Sequence, residues 1–205
     1  MDMTHPARLS PRRVVQNIQD HSCTHMFCSP MVLKRLAAYG KQEKISLESL
    51  KWIMTAGAPV LPSVLADFRE LLARDAEIHT PYGATEALPL TSISDRELLQ
   101  IYSESDIHRE GLCVGYPMDG TELRILAISE KPVPVFEDAR FLKTGEVGEI
   151  LVCGANVSEA YWEDKVSNDL AKVYEQVSRK IWHRTGDLGK MDLEGRVWYF
   201  GRKSQ

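Results

Sequence analysis

No stretch of this sequence approaches the ~20 consecutive apolar residues that a membrane-spanning helix needs. The opening stretch MDMTHPARLSPRR also lacks the apolar segment of a secretory signal. Lysine and arginine are scattered without a basic block, and the formal net charge is −4. A nucleic-acid-binding surface, which works by clustered cations displacing counterions, is therefore not expected. Cysteine is scarce: Cys23, Cys28, Cys113 and Cys153 form neither a CxxC pair nor zinc-ligand spacing. Three of them stand in apolar, strand-like runs, where a buried reduced thiol is expected. Internal repeats and low-complexity tracts are missing too. These absences lead to the expectation of a cytoplasmic protein with no transmembrane segment and small-molecule partners.

What the chain does have is enough apolar residue, 43% of 205, for one large domain or two small ones. LSPRRVVQNIQDH opens with Ser10 as a helix cap and Pro11 at the first helical position, with Val14, Val15 and Ile18 on one face. THMFCS reads as a short strand. SPMVLKRLAAYG repeats the Ser-Pro start at Ser29-Pro30 and is expected to stop at Gly40. LKWIMTAGA reads as a buried strand, PSVLADFRELLARD as an amphipathic helix, and EIHTPYG as a strand ending in a turn. Strands alternating with helices predict a parallel sheet covered on both faces. After DIHREG the pattern changes to short β-rich runs separated by Pro117, Gly120, Pro132, Pro134, Gly145 and Gly195. The fold class expected is thus α/β: part of a parallel sheet covered by helices, then a smaller antiparallel, barrel-like subdomain. The division expected is 1–108 and 109–205, with one helical insertion at about Ser158 to Lys180. Trp162, Trp182 and Trp198 are expected to pack the second part, and SEKPVPVFEDARFLKTG to run over its surface.

Two places are chemically loaded. The carboxyl ends of strands in a parallel sheet are where ligands bind. At one such end TAGAPV offers Gly57, where backbone can approach a flat ligand closely. At another, PYGATE offers an aromatic face in Tyr82, a glycine turn, the hydroxyl of Thr85 and the carboxylate of Glu86. Such a set suits a purine, a phosphate oxygen and Mg2+ beside that phosphate. Taken alone, the plainer reading is preferred, a strand–turn–helix start with Thr85 as cap and Glu86 in the first turn. The second place is HRTGDLGKMDLEGRVWYFGRK. Here Asp187 can accept two hydrogen bonds from a vicinal diol, and Arg202 can reach a phosphate or carboxylate bidentately. TGD and LEG read equally well as hairpin turns. His25, His79 and His183 are single histidines in strand contexts and are expected to be structural.

Taken together, TAGAPV, PYGATE, GEVGEILVCG and HRTGDLGKMDLEGRVWYFGRK occur in an order and spacing that resembles the adenylate-forming enzymes, the AMP-dependent acyl-CoA synthetases and ligases. The resemblance covers almost the whole chain. Within that superfamily PYGATEALP, CVGYP and WYFGRKS are most similar to the fatty-acyl branch, especially the β-lactone synthetases of olefin biosynthesis. The resemblance implies an adenine pocket lined by Gly57, Ala58 and Pro59, with Tyr82 against the ring and Gly83 beside it. It implies catalytic roles for Thr85 at the α-phosphate and for Glu86 as the Mg2+ ligand. Asp187 would hold the ribose hydroxyls, and Arg202 would assist at ribose and phosphate. Ala87, Leu88 and Pro89 would begin the acyl pocket, and Ser204 would mark an interdomain hinge, where Asp or Lys is usual.

The implied reaction consumes ATP and a fatty or 3-hydroxy fatty acid, with coenzyme A as a possible second substrate. Acyl-AMP would pass to coenzyme A, or its own 3-hydroxyl would close a β-lactone. The family's Gly/Ser/Thr-rich phosphate loop with its lysine does not occur in this sequence. The chain is therefore expected to be a fragment of the large N-terminal domain, inactive when isolated. The competing expectation is a stand-alone, non-catalytic domain with weak adenine-nucleotide binding.

Overall fold

The computed structural model describes residues 9–104 and 111–203. Within them five α-helices and eleven strands fall into two compact units. Residues 9–81 with 93–104 make the first, and residues 82–92 with 111–203 the second. The linear division expected from composition differs from these units in one stretch, Tyr82–Ser92.

In the first unit, α1 (Pro11–Asp20) begins as its sequence dictates. The Ser10 hydroxyl accepts from the Arg13 N–H at 3.5 Å, Pro11 fits the first turn, and Val15 and Ile18 are buried. After β1 (His25–Cys28), α2 (Pro30–Glu43) runs through Gly40 rather than stopping there. It ends one turn later on Lys44, which adopts the left-handed conformation at φ 52°. Gly40 serves packing instead: a Cβ there would stand 2.0 Å from Leu71 Cδ2. Strand β2 (Trp52–Thr55), helix α3 (Pro62–Arg69), strand β3 (Glu77–His79) and helix α4 (Asp95–Glu104) follow. Strands β1, β2 and β3 pair in parallel in that order.

Alternation along these strands buries Cys28, Ile53, Thr55 and Ile78. Phe27 and Trp52 stay 66% and 39% exposed, so among the described residues that face of the sheet is open. Trp52 stacks on His79 on that open face, ring centroids 4.2 Å apart. A buried ion pair pins α3, β3 and α4 together. Arg69 Nε and Nη2 each lie 2.7 Å from Asp95, and Asp95 Oδ1 also accepts from the Ile78 N–H at 3.2 Å. Such bidentate geometry offsets the cost of burying Asp95, which is 0% exposed.

The second unit is built on eight antiparallel-paired strands. They are β4 (Tyr82–Ala84), β5 (Ala87–Ser92), β6 (Leu112–Pro117), β7 (Glu122–Leu126), β8 (Gly148–Cys153), β9 (Lys172–Tyr174), β10 (Ile181–Met191) and β11 (Val197–Arg202). Their order is β4-β5-β6-β11-β10-β8-β7, with β9 added on β10. Leu90 on β5 shares one apolar cluster with Val114, Val197, Ile150 and Ile125, the last on β7 at the far end of the path. The sheet therefore curls over a common core, as the barrel-like pattern suggested. A second cluster holds Trp182, which is 1% exposed and stacks on Phe136 at 4.8 Å.

Two expectations fail here. Only α5 (Lys165–Ala171) is helical in the Ser158–Lys180 segment, because Val173 is buried in extended backbone opposite Trp182. Long-range pairing overrides local propensity. Trp162 is 89% exposed and packs no core, whereas Trp182 and Trp198 are buried. All four cysteines are free, with Cys28, Cys113 and Cys153 buried and Cys23 half-buried. Among the described residues no helix is long and apolar enough to cross a membrane.

Candidate functional site

Everything at this site that follows lies within the second unit. Thr85 and Glu86 form the turn of the β4–β5 hairpin, not the start of a helix. Tyr82 pairs with Thr91 and Ala84 with Ala87. The hairpin is tight at Gly83, where a Cβ would stand 2.4 Å from the Ala87 carbonyl oxygen. Beyond the turn, the Ser158 N–H donates to the Glu86 carbonyl at 2.7 Å, and Ala87 bridges Val157. Thr85 is exposed at the tip while Glu86 is half-buried.

Asp187 is not in a hairpin turn but in a bulge of β10. Opposite β8, Arg184 pairs with Leu151 and Leu188 with Glu149, so three residues of β10 span one of β8. Gly186 takes φ +72°, a conformation that costs any other L-residue about 1–2 kcal/mol. The Thr185 hydroxyl closes the bulge by donating to Ile150 O at 3.0 Å and accepting the Asp187 N–H at 3.1 Å. A bulge of this kind re-aims a side chain. The LEG segment, in contrast, does form the β10–β11 hairpin turn, closed by Asp192 N–H to Arg196 O at 3.0 Å.

The re-aimed Asp187 carboxylate gathers partners distant in sequence. Tyr82 Oη donates to Oδ2 at 2.5 Å, and Arg202 Nη1 donates to Oδ1 at 2.8 Å. Arg202 is placed by register, being the strand partner of Asp187 on β11, and its Nη1 also reaches Thr185 O at 3.1 Å. Tyr199 tilts against Tyr82, centroids 5.8 Å apart. Burial and then the Asp187 carboxylate push the Tyr82 phenol far up, so it stays a donor. Asp187 itself is 5% exposed.

A second cluster surrounds Glu86. Tyr161 Oη donates to Oε1 at 2.9 Å. The Lys172 ammonium lies 5.4 Å from the Tyr161 ring centroid and donates to Ser158 O and, at 3.1 Å, to Ser158 Oγ. His183, 2% exposed, stands edge-on to Tyr161 at 6.2 Å, and its Nδ1 has no hydrogen-bond partner among the described residues. Backbone hydrogen bonding at Glu86, then Tyr161 and the cation of Lys172, hold the Glu86 carboxyl below its usual range. Burial drives the Lys172 amine down and, with the Lys172 charge, His183 down to about 4. At neutral pH Glu86 is therefore ionised and His183 neutral.

Of the sequence-predicted residues, Tyr82, Asp187 and Arg202 are brought into direct contact, with Gly83, Thr85 and Glu86 on the same hairpin. Gly57, Ala58 and Pro59 belong to the first unit, exposed at the carboxyl end of β2, with Gly57 at φ +92°. Ala87 is wholly buried, while Leu88 is 54% exposed and Pro89 is exposed. Ser204 lies outside the described residues. Tyr161 and Lys172 were missed by sequence reasoning. An aromatic and a lysine in AYWEDK and AKVY carry no spacing signal, and His183 was read as a structural residue only.

Among the described residues no three His, Cys, Asp or Glu side chains cluster as a metal cage. Mg2+ does not need such a cage, since it keeps several waters and takes one or two carboxylates plus substrate phosphates. Glu86 offers one ionised carboxylate for that purpose beside the Thr85 hydroxyl.

A family model described as AMP-binding enzyme matches residues 2–162. The chain is 39% identical to the olefin β-lactone synthetase of Stenotrophomonas maltophilia over all of its own length and 37% of that protein. It is 30% identical to an indoleacetate–CoA ligase of Aromatoleum aromaticum over 92% of this chain and 32% of the ligase. Among solved structures, a long-chain-fatty-acid-CoA ligase from Archaeoglobus fulgidus superposes with a TM-score of 0.71 at 25% identity, covering 95% of this chain and 37% of that one. The chain thus spans about a third of the length of these relatives.

Proposed function

The chain belongs to the AMP-binding enzyme family, and from that premise we propose that the full-length protein activates a fatty carboxylate with ATP. The observation that carries the reading is the convergence of Tyr82 and Arg202 on the Asp187 carboxylate, with Thr85 and Glu86 on the hairpin that supplies Tyr82. Asp187 has lone pairs left to accept from both hydroxyls of a ribose. The Tyr82 ring offers a face to the purine.

The substrate carboxylate attacks the α-phosphorus. One P–O bond forms, the α–β bridging bond breaks, and pyrophosphate leaves. Thr85 donates to an α-phosphate oxygen, and Arg202 offsets charge on the ribose–phosphate side. Glu86 would hold Mg2+, which when bound would supply charge screening at the phosphates. Ala87, Leu88 and Pro89 open the acyl pocket. From acyl-AMP two outcomes are chemically available: attack by the thiol of coenzyme A, or closure by a 3-hydroxyl on the same chain. Closure needs no second substrate, because a tethered nucleophile enjoys a high effective molarity. The identity to olefin β-lactone synthetases supports the second outcome.

Calorimetric titration of AMP into wild type and Asp187→Asn tests the nucleotide site. The reading expects binding that weakens at least ~10-fold in the variant, since a charged hydrogen bond to ribose contributes roughly 1.5–3 kcal/mol. Equal affinity in both would refute it. Products formed from a long-chain 3-hydroxy acid, with and without coenzyme A, then separate lactone from thioester.

A further inference from the structure

Three residues, Ser158, Lys172 and Tyr161, close a ring with Glu86. Ser158 N–H holds its carbonyl at 2.7 Å, Lys172 holds Ser158, the Lys172 ammonium sits 5.4 Å from the Tyr161 ring centroid, and Tyr161 Oη returns to Glu86 Oε1 at 2.9 Å. We infer that Tyr161 is a positioning residue that fixes the Glu86 carboxylate for the cation by anchoring Oε1. The inference rests on the nucleotide reading above.

Tyr161 is unusually well placed for such a role. The Asn168 side-chain amide clamps its backbone, with Oδ1 accepting the Tyr161 N–H at 2.7 Å and Nδ2 donating to Tyr161 O at 2.9 Å. Asn168 is itself fixed on α5, whose first turn is capped by Asp164 accepting the Ser167 N–H at 3.0 Å. The neutral His183 edge bounds the ring on another side. Glu86 stands in a hairpin turn, where a carboxylate free to rotate would pay side-chain entropy on binding metal. It would also alternate between one-oxygen and two-oxygen contacts. Mg2+ demands near-ideal octahedral geometry and tolerates a single carboxylate oxygen beside waters and phosphate. A bond that anchors Oε1 restricts that rotation before the metal arrives, and loss of such an outer hydrogen bond typically costs ~10–100-fold in metal affinity.

The test compares ATP affinity of the full-length protein with saturating Mg2+ and with EDTA, in wild type and Tyr161→Phe, with metal-free AMP as control. Phe keeps the ring under Lys172 and removes only the hydroxyl. The expected result is unchanged AMP binding and a ratio of Mg·ATP to ATP affinity reduced about tenfold, the low end of that range. An unchanged ratio with intact AMP binding overturns the inference while leaving the nucleotide reading standing. Absence of AMP binding in wild type overturns both. Asn168→Ala, which unclamps the Tyr161 backbone, serves if Tyr161→Phe fails to fold, and should shift the same ratio in the same direction. Parallel losses of AMP and Mg·ATP binding in these variants would mean a merely structural role and refute the positioning claim.

Discussion

Replacing Arg184 by Met should destabilise the second unit more than replacing Arg184 and Glu149 together. Arg184 and Glu149 side chains are each 2% exposed, with Nη2 and Nε at 2.6 and 3.1 Å from Oε2. The same guanidinium donates to Ser129 O at 2.5 Å, Lys131 O at 2.9 Å and Leu170 O at 3.0 Å. Arg184→Met strands the Glu149 carboxylate in the interior, a change that typically costs about 3–5 kcal/mol. Lys203 Nζ remains 3.2 Å from it and softens that cost. Each deprived carbonyl adds roughly 1 kcal/mol where water does not reach it. A net loss of about 4 kcal/mol follows. Adding Glu149→Leu removes the stranded charge, so the double variant should regain about 2 kcal/mol over the single one, the carbonyls staying unsatisfied. Three of the four tryptophans, Trp162, Trp182 and Trp198, lie in the second unit, so fluorescence during urea titration reports on it. With a slope of about 2 kcal/mol/M, the single variant should lower the midpoint by about 2 M. A double variant less stable than Arg184→Met alone would refute the reasoning, because it would mean the buried carboxylate is no burden without its partner.

Gly186→Ala should cost about 1–2 kcal/mol through its positive φ and also weaken AMP binding, since the strain falls on the bulge that aims Asp187; calorimetry showing undiminished affinity would contradict this. Aromatic-disulfide titration of the native protein at pH 8 should find one fast thiol, Cys23, with three appearing only on unfolding. Burial raises the Cys28 thiol to about 11, and Cys153 is likewise raised; a second fast thiol would count against the assigned burial. Asp192 is held below the usual carboxylate range: burial raises it, but hydrogen bonds from Trp198 Nε1 at 2.8 Å and Arg196 Nε at 2.7 Å outweigh that. A depressed carboxylate stabilises the fold above the unfolded-state pKa of about 3.9 and loses that contribution as pH falls through the lower folded value. The stability gap between wild type and Asp192→Asn should accordingly be full at pH 6 and close below pH 4, and a gap constant with pH would exclude the charge as its cause.

Signals confined to a few neighbouring residues were the legible ones. Ser10-Pro11 and Ser29-Pro30 start helices because proline geometry, joined at Ser10 by a side-chain cap, acts within one turn. Asp187 and Arg202 were both visible, the first in its TGD motif and the second at its strand end, though neither motif shows that they are strand partners. Where meaning depends on a distant partner, local reading failed. Gly40 looks like a helix stop, yet its job is set by Leu71. Thr85-Glu86 looks like a helix start, but β5 is claimed by β6 through Thr91–Pro117 and Ser92–Tyr116. Tyr161 has no motif at all, and its link to Glu86 spans 75 residues. Trp162 was assigned to a core on size alone, although it is Trp182 that fills the cluster.

The excursion of Tyr82–Ser92 out of one compact unit and into the sheet of the other has a consequence for how this chain can be made and exchanged. No single cut divides it into two intact halves. As the chain emerges from its N-terminus, β5 cannot be paired on its β6 side until Tyr116 and Pro117 exist, so the hairpin must wait while its own flanking segments fold. Closing that loop late carries an entropic cost that grows only slowly with length, so the delay is tolerable. Recombination between relatives is constrained more severely. A crossover near residue 105 would join a hairpin from one parent to a sheet from another, mismatching Thr91 with its pairing partner. Swapping residues 82–92 together with 111–203 keeps Thr85 and Glu86 with Tyr161, Asp187 and Arg202, and chimeras assembled that way should be the ones that stay folded.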